Sequence, residues 1–435
     1  MGHGHDHAAG EAAFSKRARW AVTAVAVVLG ILTLAGAAIL WPRHDPHGHL
    51  NGLHAIRDVY EATTISVHRG TCGTAGADTT QRCTRIRFRL DQGPSAGQFR
   101  TIEFAQTASA PNVGAGDKVV LNHIEGAPRG FDYTYNDRQR RTVLVWLVAL
   151  FAVVVIALGR WRGVAALVAL GASIGVILVF ILPSMLDGNN AQLVAVVGAS
   201  AVAFVALYVS YGPSPLTTVA LLGTLLALAL TVVLATVFTD LAHFTGAQNE
   251  DALLVSIGAS SVNLKSLVLA GMVLGALGAL NDITVTQASA VGELRAHNPT
   301  MTRAALYRSG LRIGRDHISS TVNTLALAYA GASLPLLMLF TLSSQSLGTV
   351  ANGEVVAVEI VATLVGSIGL VAAVPVSTAL AVLVTSDHEP PATPLPRARR
   401  QHTTTPAAAA EGVTHEPATA GGSDLLAPVE RDFWT

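Results

Sequence analysis

The sequence predicts an α-helical polytopic membrane protein of about eight membrane-spanning helices, with one small all-β domain, barrel- or sandwich-like, between the first two. Three observations carry this. Only 13% of the 435 residues are charged and 51% are hydrophobic, against roughly 25% charged in an ordinary soluble domain. The apolar residues are gathered into long charge-free runs, which ask for lipid as their solvent. Between the first two runs the pattern changes to short alternating segments divided by Gly and Pro, the mark of half-buried strands. The formal net charge is zero, so no basic excess points to nucleic acid.

Residues 1–19 form a tail ending in Lys16, Arg17 and Arg19. The first apolar run, Trp20–Leu40, is long enough to cross a hydrocarbon core of about 30 Å. The basic residues before it place the N-terminus in the cytoplasm. The run is long for a signal peptide and stays apolar through Trp41, so residues 20–41 read as an uncleaved anchor.

Residues 42–140 form the β domain, placed outside the cytoplasm. Its strand-like runs are Thr64–His68, Arg85–Leu90, Gln98–Phe104 and Lys118–Asn122. In Arg85–Leu90 the apolar side chains recur at every second position. Arg85, Arg87 and Arg89 then share a face, which is either a solvated strand face or a surface for anions and lipid headgroups. Cys72 and Cys83, the two cysteines, are expected to close a disulfide in this compartment. They form no CxxC pair, which speaks against a zinc or iron–sulfur site.

The membrane domain, residues 141–385, holds seven further runs: Val143–Leu158, Val164–Leu182, Leu193–Tyr211, Leu216–Phe238, Leu267–Ile283, Thr321–Leu342 and Val355–Val384. The last is long enough to be tilted or kinked at Pro375. With eight spans, Arg160 and Arg162, the arginines from Arg295 to Arg315 and the C-terminal Arg397, Arg399 and Arg400 all fall inside. Residues 287–314 read as an amphipathic helix pair on the cytoplasmic surface, broken at Asn298-Pro299. Residues 386–435 read as a disordered cytoplasmic tail.

Two groups of histidines flank the first span: His3, His5 and His7 before it, and His44, His47 and His49 after it. Imidazoles so spaced can chelate a divalent metal, the one cofactor the sequence suggests, yet a loose tail offers no preformed geometry. A mobile tail is the plainer reading.

Polar residues within spans are more informative, because each is costly in lipid and tends to face a bundle interior. Gly271, Gly275, Gly278 and Asp282 fall on one face of the sixth span, with Asn281 and Thr286 beside it. Small residues at this spacing let another helix approach closely. Asp282 is therefore expected in a helix–helix contact. At the start of the seventh span, Asp316, Ser320, Asn323 and Thr324 share a face, with Arg315 at the boundary. Two readings follow. Either these residues form one polar site that binds a cation or relays protons, or Asp282 pairs with Arg315 and ties the helices together. Asp240, His243, Glu250 and Asp251 in the preceding loop are either an acidic vestibule or an ordinary solvated loop. No P-loop, HExxH or GxSxG is present, so an enzyme is not expected.

Gly275-Ala276-Leu277-Gly278-Ala279-Leu280-Asn281-Asp282, Glu293-Leu294, Asn298-Pro299, Ser309-Gly310, Gly314-Arg315-Asp316, Thr321-Val322-Asn323-Thr324-Leu325 and Ala328-Tyr329-Ala330-Gly331 form an ordered set. In this set the chain resembles the YibE/F-like family of bacterial membrane proteins, from about Val59 to about Thr385. His317 and Ile318 depart from the apolar pair expected in many relatives. The resemblance implies a multi-span, permease-like protein of a bacterial plasma membrane. Asp282 and Asp316 match the family pattern. It names no reaction and no substrate. The reading is an ion-coupled transporter of a small solute or ion, with rivals in an envelope sensor or scaffold acting through the β domain, and in metal handling. Partners are the bilayer and that solute, with no nucleic acid; association of several copies stays open.

Overall fold

The structure, a computed structural model, describes residues 16–43, 58–71, 82–105, 111–128, 130–248, 250–258, 262–342 and 346–385. The first helix, α1 (Lys16–Ile39), leads into five antiparallel strands. These are β1 (Asp58–Thr71), β2 (Arg82–Leu90), β3 (Phe99–Ala105), β4 (Lys118–His123) and β5 (Tyr133–Arg138), in the sheet order β3-β2-β1-β4-β5. The long β1 lies at the centre, curved by a shift of register between Thr64 and Ser66. The sheet curls into a half-barrel around Ala62, Ile86, Phe88, Leu90, Val119, Leu121 and Tyr133.

The alternation in β2 is realised: Ile86, Phe88 and Leu90 are buried, while Arg85, Arg87 and Arg89 are exposed. Each arginine has a partner within the domain. Arg85 pairs with Glu103, Arg89 with Asp91 at 3.3 Å, and the Arg87 guanidinium lies 4.4 Å from the centre of the Phe99 ring. That is the solvated-face arrangement. Arg100 and Asp132 make a more sheltered pair at 2.8 Å. Desolvation pushes the Asp132 pKa up, but the Arg100 guanidinium and the Gly130 N–H outweigh it and hold the carboxyl below its ordinary range. Cys83 is disulfide-bonded, while Cys72 lies outside the described residues.

The helices follow as α2 (Arg141–Val176), a π-helical turn (Ile177–Ile181), α3 (Leu182–Leu186), α4 (Ala191–Tyr211), α5 (Pro215–Leu241), α6 (Glu250–Gly258), α7 (Leu264–His297), α8 (Arg303–Ala332), α9 (Leu334–Leu342), α10 (Leu347–Asn352) and α11 (Glu354–Val384). Among the described residues, six segments are long and apolar enough to cross a membrane: 17–39, 141–186, 191–211, 215–241, 264–297 and 354–384. The bent pair α8–α9 makes a seventh if taken as one span. The expected count of eight differs because two of its runs fall within residues 141–186.

That segment is broken at Arg160, whose φ of 51° and ψ of −128° leave the helical region. A Cβ on Gly163 would stand within 3.2 Å of the backbone of both Val155 and Ile156. A straight helix holds residues eight apart about 12 Å from one another. The chain therefore turns back on itself at Arg160, and the lack of a side chain at Gly163 permits the approach.

The core is shared by α1, α4, α5, α7 and α11, through residues such as Ala26, Leu207, Leu228, Leu280 and Leu370. α1 is held at its end, where Ser184 Oγ donates to the Leu40 carbonyl at 2.7 Å. α11 stays helical through Pro375, from Glu354 to Val384. Residues 287–314 are not a separate surface pair. They are the end of α7 and the start of α8, joined by a turn at 298–302. Thr302 caps α8 by accepting from the Ala305 N–H, and the buried Arg295 donates to the carbonyls of Pro299 and Met301. The expected tails, 1–15 and 386–435, and with them His3, His5 and His7, lie outside the described residues, as do His44, His47 and His49. Among the described residues, no group of three or more metal-ligating side chains occurs.

Candidate functional site

Gln287 sets the register of the three helices around the predicted site. It is 1% exposed, and its Nε2 donates to the Gly310 carbonyl on α8 and to Thr378 Oγ1 on α11, each at 2.7 Å. Gly310 and Gly314 lie on the side of α8 that packs here. A Cβ on Gly314 would meet Val374 Cγ1 at 2.4 Å and Gln287 Oε1 at 2.8 Å. This is small-residue packing of membrane helices, supplied by α8 and not by the α7 glycines Gly271 and Gly278. Thr284 adds a second tie, its hydroxyl 2.7 Å from that of Thr224 on α5.

Asp282 lies near the middle of α7 and is exposed. It does not face the helix contact expected for it; Ile283, Thr284 and Gln287 do. Gly271 and Gly278 share its outward side, with open space where a Cβ would be, while Gly275 is approached by Tyr329 of α8. The antiparallel register that joins Gln287 to Gly310 puts Asp282 level with Arg315, five residues along each chain. Both are exposed, and among the described residues no ion pair joins them. Asp316, Ser320, Asn323 and Thr324 do share a face, as their spacing predicts, but it is an exposed face opposite the buried Gly310 and Gly314. Asn281 is half-buried, and its Oδ1 has no hydrogen-bond partner. Thr286 bonds back to the Asp282 carbonyl at 2.8 Å. Asp240, in the last turn of α5, pairs with Lys265 at 2.7 Å, and Glu250 and Asp251, at the start of α6, have side chains outside the described set.

The structure reveals a second polar feature that the sequence reading passed over. α8 and α9 meet at Ser333 with a bend of 61°. Pro335 falls in the first turn of α9, where its missing N–H is no loss, and its ring disfavours a continuous helix across the break. A cavity of about 240 Å³ lies in the angle of the break, lined by Tyr329, Ser333, Leu336, Glu359, Ile360 and Thr363 among others. Glu359 is half-buried, and among the described residues its carboxyl has no ion pair and no hydrogen bond. It stands in the second turn of α11, in a helix whose 31 residues span about 46 Å. The signal was in the sequence: one acid inside an apolar run, the same sign that singled out Asp282. Tyr329 closes the cavity from α8, its hydroxyl 2.5 Å from where a Cβ on Gly275 would be.

Glu354 anchors the start of α11. Its carboxylate accepts from the N–H groups of Thr245 and Gly246, both at 2.7 Å, and so fixes the start of α11 to the turn after α5. The YibE/F-like protein family matches residues 147–387, more than half of the chain. The chain belongs to that family. The match covers both limbs around Arg160 from Leu147 onward, the Gln287 tie, the outward polar strip and the cavity at the break. The β domain and α1 lie outside it, so the resemblance expected from Val59 is shown for residues 147–387. No curated protein matches the chain, and no solved structure does.

Proposed function

We propose that the chain is a permease: a carrier, and not an enzyme, that moves a small solute or ion across a bacterial plasma membrane. The observation that carries the reading is the broken span α8–α9, with its cavity and the unpartnered Glu359 in the angle. Interrupted helices are tolerated at membrane depth where they border a cavity, and carriers place binding sites at such breaks. The outward strip of Asp282, Asp316, Ser320 and Asn323 supports it further. Ionisable groups at that depth ask for water or protein beside them in place of lipid, and we read the strip as the wall of a hydrated route.

The proposal includes eight spans. Counting residues 141–186 as two at the Arg160 turn, and α8–α9 as one, gives that number. Arg160, Arg162 and the 298–302 turn then share the cytoplasmic side with both termini, and the β domain lies opposite. The test is current measurement on proteoliposomes stepped through a panel of monovalent ions and small charged solutes. The wild-type chain is expected to give sustained current with at least one of them, and Asp282→Asn to reduce it at least tenfold with the protein still folded. Wild-type currents equal to those of empty liposomes across the panel would overturn the permease reading.

A further inference from the structure

The cavity at the α8–α9 break has the chemistry of a site for one kind of ligand. Glu359 is the one charged residue in its lining, and Tyr329 from α8 is the other titratable one; α9 contributes Leu336 and Leu337 and no ionisable group. Among the described residues, no Lys, Arg or His lines the cavity beside the carboxyl. A carboxylate removed from bulk water and given no basic partner needs a proton or a cation from elsewhere. The rest of the wall is mostly aliphatic, through Val356, Ile360 and Leu364.

A divalent metal ion is a poor fit. Calcium and magnesium take six or more oxygens. The lining offers one carboxylate and the hydroxyls of Tyr329, Ser333 and Thr363, and the Thr363 hydroxyl already donates to the Glu359 backbone carbonyl at 2.7 Å. A cation with an apolar body suits the wall better. Its charge would meet Glu359, an aromatic face would be available at Tyr329, and its carbon atoms would replace water against the aliphatic side chains. The volume, about 240 Å³, suits a small organic molecule and falls just below drug-sized pockets.

We infer that this cavity binds a small monovalent organic ammonium ion, with Glu359 as its counter-charge and Tyr329 as its aromatic wall, and that a proton competes for the same carboxyl. The inference deepens the proposed function by naming a substrate class, and it rests on that reading for its biological use.

The test is calorimetric titration of the full chain in lipid nanodiscs with benzyltrimethylammonium. Saturable binding at one site is expected at pH 8, and weaker binding as the pH is lowered to 5.5. Glu359→Gln should weaken it at least tenfold at pH 8 and remove the pH dependence. Tyr329→Leu should weaken it severalfold and keep the pH dependence, and Glu359→Asp should retain part of the affinity. Equal binding by wild type and Glu359→Gln, or no saturable binding by wild type, would overturn the inference. Sustained currents without Glu359-dependent binding would sink this site alone, and binding without any current would sink the permease reading alone.

Discussion

Gln287→Leu should loosen the joint of three helices without emptying space, since leucine nearly matches glutamine in volume. The substitution removes two interhelical hydrogen bonds, both 2.7 Å long and both buried. Interhelical hydrogen bonds in membranes average about 0.6 kcal/mol and reach about 1.7. Two of them give a central figure of about 1.2 kcal/mol and a ceiling near 3. The partners are not left orphaned, because the Thr378 hydroxyl still donates to the Val374 carbonyl at 2.6 Å and the Gly310 carbonyl belongs to a helix. The expected loss is therefore about 1–2 kcal/mol. Unfolding titration in mixed micelles of increasing SDS, followed by circular dichroism, reads it directly. Thr378→Val supplies the double-mutant cycle, with an expected coupling of about half the total. A loss under about 0.3 kcal/mol, or no coupling, would refute the argument that Gln287 ties α7 to α8 and α11.

Two other predictions concern packing and charge. Gly314→Ala puts a methyl group 2.4 Å from Val374 Cγ1, so overpacking should cost about 1–3 kcal/mol in the same titration, more than the change at the open Gly278. Asp132 has a lowered folded-state pKa, so its contribution is full above the unfolded value of about 3.9 and disappears as pH falls through the folded one. The near-ultraviolet dichroism of the β-domain tyrosines should hold to about pH 4 and decline below it, and Asp132→Asn should flatten that acid dependence.

Much of the architecture was legible because lipid imposes a simple rule. Charge-free runs of the needed length marked the long apolar segments, and the period of two in Arg85–Leu90 marked β2 with its arginines outward. β5 escaped because Tyr-Thr-Tyr-Asn-Asp-Arg is polar, and only the alternation of Tyr133 and Tyr135 hints at a strand. The turn at Arg160 was read as the gap between two runs, yet no sequence rule fixes a positive φ at an arginine. For the site, periodicity placed Asp316, Ser320, Asn323 and Thr324 on one face but did not say which way the face turns. That is decided by Gly310 and Gly314, whose lack of side chains lets α8 approach Gln287 and Val374 and leaves the polar side outward. Asp282 was assigned to the contact because glycines surround it, but those glycines are exposed too. Glu359 and the Pro335 break were both visible as exceptions within apolar runs. Their meaning depends on α8 and α11 being neighbours, and that is tertiary information.

The central claim is that the break at Ser333 borders a water-filled site used for passage. Ser333→Cys, reacted without reductant with a charged membrane-impermeant maleimide in sealed vesicles of each orientation, tests it most directly. The account predicts labelling from both sides, as the site is exposed to one face and then the other. Labelling from one side only, or from neither, would contradict it.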